Sequence, residues 1–208
     1  WTSDSGDHGG ANLNILIAGE PVIEENLYSA GDVGAAPIGV SPISEESSDP
    51  GLAGKYWTTE PKGFEFGEGS QGPIFQTVPG DNHGIYILNT EPQGTFISSN
   101  VSYTGNDLTP ISEWLGEDSN SFEGTEGNLD DGMVQLRGMI QINNAGTHDF
   151  RSSSDDGSVI RIGNQVVVDN DGGHGAPGPN PDGSAFFTKP GLYPIEVAWF
   201  NGNWAHNP

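Results

Sequence analysis

Apolar and polar residues alternate along this chain in short runs, and glycine, proline, asparagine and serine separate the runs. In residues 11–18, Leu13, Ile15 and Ile17 stand among Asn12, Asn14 and Leu16, the two-residue period of a strand. Residues 51–57 (GLAGKYW) form an apolar, aromatic run, and residues 94–103 (GTFISSNVSY) repeat the alternation through Phe96, Ile97 and Val101. Further strands are predicted at MVQLRGMIQIN, GTHDFRSSS, SVIRIGNQVVVDN, SAFFTKP and GLYPIEVAWF. Gly163 and Asn164, set between apolar runs, are a two-residue hairpin signal. Arg137 and Arg161 fall within strands and are expected to pair with local acids. One segment breaks the pattern. DLTPISEWLG (residues 107–116) predicts a short helix, with Pro110 in its first turn and Trp114 and Leu115 facing inward.

The sum is an all-β domain, a sandwich or barrel of about eight or more strands with one short helix and long loops. Residues 21–50 lack periodicity and are rich in Gly, Pro, Ser and Glu, the composition of a linker with little structure of its own. The chain therefore divides into a loop and strand (residues 1–20), an acidic linker (21–50) and a main domain (51–208).

Composition sharpens this picture. The 32 glycines and 15 prolines supply turns, while nine Phe, five Tyr and five Trp are enough to build a core. Acidic residues number 29 against six basic ones, a formal charge of −23. Such a surface repels nucleic acid and anionic membrane, and bound divalent cations would relieve its self-repulsion. There is no cysteine, which removes disulfides, thiolate metal sites and cysteine nucleophiles. No apolar run approaches the ~20 residues that span a bilayer. Trp1 opens a polar, acidic stretch with no leader pattern, so the chain reads as a mature or excised piece.

The chemistry concentrates in SSSDDGS, where Asp155 and Asp156 stand together at the end of a predicted strand. Adjacent carboxylates repel, and on an extended chain they point to opposite sides. Two readings are open: a solvated turn, or a hard cation held by both, for which the backbone must bend sharply, as a cis peptide does. The second pair, Asp130 and Asp131, precedes a strand and reads as a solvated turn. His8, His83, His148 and His206 lack the spacing of a zinc site. Neither a nucleophile elbow nor a glycosidase-type carboxylate pair is present, so no enzyme is expected.

An ordered set of segments carries a resemblance. GLAGKYW, WLG, AGTHDF, SDDGS, IGNQVVVDNDGGHG and LYPIEVAWFNG run in that order from Gly51 to Gly202. Together they resemble the protective-antigen fourteen (PA-14) domain, a β-sandwich or barrel module of bacterial toxins, large adhesins, glycosidases and flocculin-type lectins. The resemblance implies a calcium-dependent lectin or adhesin module, extracellular or on a bacterial cell surface. In sugar-binding members a cis-linked Asp pair holds calcium, and calcium binds vicinal hydroxyls of a glycan. Carried over, the pair is Asp155 and Asp156. The loop after the last strand would add Asn201 and Asn203, with Trp204 and His174 on the sugar side, although a turn-stabilising role also suits His174.

Family domains continue into a closing strand of the type GGAxLxLxW. This chain instead carries GDHGGANLNILIAG near its start, with Trp1 and Trp204 in corresponding places. The arrangement suggests a unit cut from an array, its closing strand at residues 11–18. That strand is expected beside residues 193–200, within this chain or in a neighbouring copy by strand addition. Asp4, Ser5 and Asp7 would then approach the calcium loop. The alternative to a lectin is a structural repeat of an extracellular fibre, assembled by strand complementation.

Overall fold

A computed structural model describes residues 10–17, 20–21, 27–28, 50–58, 91–130, 132–163, 165–176 and 182–202. Among these residues two antiparallel sheets face each other without joining into a closed barrel, so of the two expected architectures the sandwich is the one adopted.

The first sheet is built around β1 (Gly10–Ile17). On one side β1 pairs with β9 (Gly146–Asp155), which in turn carries the edge strand β12 (Asp182–Phe187). On the other side it pairs with β6 (Ser102–Asn106) and turns back through the short β2 (Glu20–Pro21). The strand expected over residues 11–18 therefore exists, but its neighbours are not those expected. Leu13 lies opposite Ser154 on one side and Tyr103 on the other. Residues 193–200 belong to the facing sheet. The reason is in the pattern: Leu13 is wholly buried in the core, and β1 fills the gap between β6 and β9, where both its edges find partners.

The second sheet runs β11 (Gln165–Asn170), β10 (Ser158–Ile162), β13 (Gly191–Asn201), β8 (Gly132–Ile142), β4 (Leu52–Trp57), β5 (Gly94–Ser98), β7 (Glu123–Gly124). A short β3 (Leu27–Tyr28) also pairs with β8. Residues 21–50, read as a linker, thus contribute backbone pairs to both sheets. GTFISSNVSY is two strands, β5 and β6, which divide between the sheets at a turn near Ser99 and Asn100.

Alternate residues of the two sheets meet in one core. Leu13, Tyr103, Phe150 and Phe187 come from the first, and Leu52, Tyr56, Val134, Leu136, Ile160, Tyr193 and Trp199 from the second. Burial of each large side chain contributes roughly 1.5–3 kcal/mol. The helix α1 (Ile111–Leu115) plugs one end with Ile111, Trp114 and Leu115. It is shorter than expected, and Pro110 precedes it as the N-cap residue, because proline suits a helix boundary and its extended backbone also bridges to Asn128.

Glu196 of β13 is largely buried on the outer face of its sheet, opposite Arg137. The Arg137 guanidinium donates to Glu196 Oε1 at 2.7 and 2.9 Å, and Gln135 Nε2 donates to the same oxygen. A buried carboxylate needs such donors. Arg161 of β10 lies opposite Glu196 on the other side of β13.

Candidate functional site

At the end of β9 the chain turns sharply into β10 through Asp155, Asp156 and Gly157. The Asp155–Asp156 peptide bond is cis, as the sequence suggested. Main-chain bonds lock the turn to the end of β13: Asp156 N–H donates to the Phe200 carbonyl and Phe200 N–H to the Gly157 carbonyl, each at 3.1 Å. Only glycine fits at position 157. A Cβ there would lie 2.4 Å from the Phe200 ring and 2.7 Å from the Gly172 nitrogen.

An aromatic column supports the pair from the core. Trp199 Nε1–H donates to the Asp155 carbonyl at 3.0 Å. Trp199 stacks on Trp114 at 5.0 Å, and Trp114 on Tyr103 at 4.4 Å. The Tyr103 hydroxyl donates to Asp118 Oδ2 at 2.5 Å. Burial, and then the Asp118 charge, push this phenol far above its ordinary range, so it stays a donor at any working pH.

The carboxylates differ in their surroundings. Asp156 is 3% exposed, with Oδ1 accepting the His174 main-chain N–H and Oδ2 the Gly202 N–H, each at 2.8 Å. One side chain thus fastens two loops, which compensates the burial of its charge. Asp155 is half-buried. Its Oδ2 lies 4.0 Å from the point where a Cβ on Gly175 would sit. His174 and Gly175 are consecutive, so both carboxylates converge on one two-residue stretch of the loop that follows β11.

That loop is held from beneath. His174 Nε2 donates to the Asn170 carbonyl at 3.1 Å, and Asn170 Nδ2 donates to Ser154 Oγ at 3.0 Å. Ser154 and Ser152 both contact Ser158 Oγ, at 2.8 and 2.5 Å. These three serines and Asn170 are buried, forming a polar floor below the turn. Sequence reasoning passed over them. The available signal was serine at both inward positions of RSSSD, where a core strand would carry apolar residues.

Asn201 is buried at the end of β13, with its amide nitrogen engaged. It is 1% exposed, and its Nδ2 donates to Asp107 Oδ1 at 3.0 Å and to the Leu129 carbonyl at 2.8 Å. The next residue, Gly202, reaches the aspartate pair through its main chain. Asn203, Trp204, Asp4, Ser5 and Asp7 lie outside the described residues. The register nevertheless sets Asn12 opposite Asp155, so β1 begins at the same end of the sheet as the pair. Asp130 is half-buried, with its N–H bonded to Asn128 Oδ1 at 3.2 Å; Asp131 lies outside the described residues.

The donor chemistry suits a hard divalent cation: two carboxylates side by side, in a loop setting that can add carbonyl oxygens and water. Among the described residues no group of three or more His, Asp or Glu side chains is gathered for a metal. Any further ligand would therefore come from the main chain, an amide, water or a residue outside the described set.

Residues 116–208 match the PA14 domain. The fold agrees. The PA14 domain of the MpAFP antifreeze protein is 21% identical at a TM-score of 0.52, over 76% of this chain and 81% of that one. The PA14 sugar-binding domain from an RTX adhesin is 23% identical at a TM-score of 0.50, over 73% of this chain and 82% of that one. No curated protein matches the chain. The matched PA14 segment contains the cis pair, the His174 loop and the strand β13 that clamps them. The strands β1, β4, β5 and β6, which complete the two sheets, precede it in the chain.

Proposed function

We propose that this chain is a calcium-dependent carbohydrate-binding module of a secreted or cell-surface adhesin, and that Asp155 and Asp156 hold the calcium. The observation that carries the reading is the convergence of both carboxylates on His174 and Gly175 at the open end of a PA14 fold. The likeness of the fold to the PA14 sugar-binding domain from an RTX adhesin supports the same reading. Calcium would supply positive charge and open coordination positions for a vicinal diol. Asp155 would contribute its half-exposed carboxylate. Asp156 would contribute the remaining lone pairs of a carboxylate already fixed by two main-chain N–H groups. Trp199 holds the backbone between them. The role is binding, and glycans of the fucose, mannose or glucose type, which present vicinal hydroxyls, are the expected ligands.

Titration calorimetry with calcium chloride, followed by a glycan array with and without chelator, tests this. Calcium binding by the wild type, its abolition in Asp156→Ala, and calcium-requiring glycan binding are the expected results. Glycan binding that persists in excess chelator refutes the mechanism. Calcium binding with no glycan bound favours the structural repeat. In the described structure β1 pairs on both edges within its own chain, so nothing there requires a neighbouring copy.

A further inference from the structure

Among the described residues, the loop after β11 is pinned at His174 and exposed at Gly175. His174 is occupied twice: its main-chain N–H lies on Asp156 Oδ1, and its ring Nε2 is tied back to the Asn170 carbonyl. Gly172 is pressed against Gly157. Gly175, by contrast, is exposed, and its φ lies outside the left-handed region, so its backbone does not require glycine. Among the described residues other than its two chain neighbours, the one atom within 4 Å of a Cβ built at 175 is Asp155 Oδ2, at 4.0 Å, ordinary van der Waals contact.

These facts separate two properties of the site. A Cβ at 175 meets no clash among the described residues outside its chain neighbours, and the aspartates are held by bonds made elsewhere. It would also stand beside the half-exposed Asp155 carboxylate, 4.0 Å from its Oδ2 at the Cβ, where a diol sharing a cation with that carboxylate would approach. From this we infer that Gly175 determines ligand selectivity: the missing side chain keeps the approach to Asp155 open to a bulky saccharide, while the aspartate pair is positioned by Trp199, Phe200, Gly202 and the His174 main chain and not by a side chain at 175. The inference rests on the calcium-lectin reading above and adds which residue controls access to the site. Larger residues at 175 narrow the accepted ligands in order of their size, with simple glycosides lost last and branched glycans first.

The test compares wild type, Gly175→Ala and Gly175→Leu. Melting temperature, calcium affinity by calorimetry, and binding of methyl fucoside, methyl mannoside and a branched glycan panel are measured in saturating calcium. The expected result is an unchanged melting temperature, calcium affinity within about threefold of wild type, and glycan affinity at least about tenfold weaker in Gly175→Leu. Gly175→Ala falls between. Equal glycan affinity in calcium-loaded wild type and Gly175→Leu overturns this inference alone. Loss of calcium binding in Gly175→Leu also overturns it, because residue 175 would then belong to the cation's own geometry. A wild type that binds calcium but no glycan overturns it together with the sugar-binding reading.

Discussion

Trp199 Nε1–H lies 3.0 Å from the main-chain carbonyl of Asp155. Trp199 is wholly buried at the centre of the core, and Asp155 stands at its polar rim. A rigid indole thus connects the aromatic column Tyr103–Trp114–Trp199 to the backbone of the aspartate pair. In Trp199→Phe most of the stacking persists and this donor is lost. The substitution is expected to cost about 1–3 kcal/mol from the missing bond to a buried acceptor, with a further term for lost volume. Urea unfolding measures the first effect. Calcium affinity of the folded fraction should weaken as well; a variant less stable but equal in calcium affinity would restrict Trp199 to a structural role.

The two aspartates should separate experimentally. Asp156 accepts two N–H bonds while buried, whereas Asp155 is half-exposed. In Asp156→Asn one oxygen becomes an NH2 group facing another N–H donor. Without calcium this is expected to destabilise the fold by about 1.5–3 kcal/mol, the range for hydrogen bonds to charged groups. Asp155→Asn should melt near wild type without calcium and lose the shift that calcium produces. Thermal melts of both variants, with calcium and with chelator, give four values that decide the matter. Equal behaviour of the two variants contradicts the division of roles.

Leu13 lies wholly within the core although it comes from the extreme start of the chain. Leu13→Ala is expected to cost about 2–5 kcal/mol, as for other buried leucines. Deletion of residues 1–20 would unpair β6 and β9 along their shared edges, leaving rows of N–H and C=O groups open to aggregation. Chemical denaturation and light scattering report the two outcomes. A truncated protein as stable and as soluble as the full chain would exclude β1 from the sheet.

Arg151 and Asp182 face each other across β9 and β12 in a two-contact ion pair, both solvent-exposed. Hydrogen bonding to Arg151 lowers the pKa of Asp182, so the folded form binds its proton less readily than the unfolded one. The associated stability is present above the ordinary aspartate range and is lost as pH falls through the lowered folded value. Exposure and salt keep the effect small. Wild type and Asp182→Asn should therefore differ slightly in melting temperature at neutral pH and low salt. The difference should vanish in strong acid or molar salt; a gap that grows toward acid pH would reverse the assigned sign.

How much was legible beforehand follows from what each signal depends on. Local period marked β1, β4, β8, β9, β10, β11, β12 and β13, since alternation of apolar side chains is written residue by residue. The Asp-Asp-Gly turn was legible as a place where something unusual happens, because adjacent carboxylates followed by glycine suit neither strand nor helix. What could not be read was partnership. The same alternation in β1 satisfies either sheet, and only the simultaneous presence of open edges on β6 and β9 assigned it there. Asn201 reads as an oxygen donor in sequence, but that its amide nitrogen meets Asp107 and Leu129, groups 94 and 72 residues away along the chain, is decided by packing. Ser152, Ser154, Ser158 and Asn170 are individually unremarkable polar residues. They become a buried floor when β9, β10 and β11 come together, since hydrogen-bond networks across sheets depend on distances that no single strand encodes. The sequence by itself determined the strands, their hydrophobic faces and the charged turn. The tertiary structure alone decided which loops that turn fastens and that Asp155 comes to lie beside Gly175.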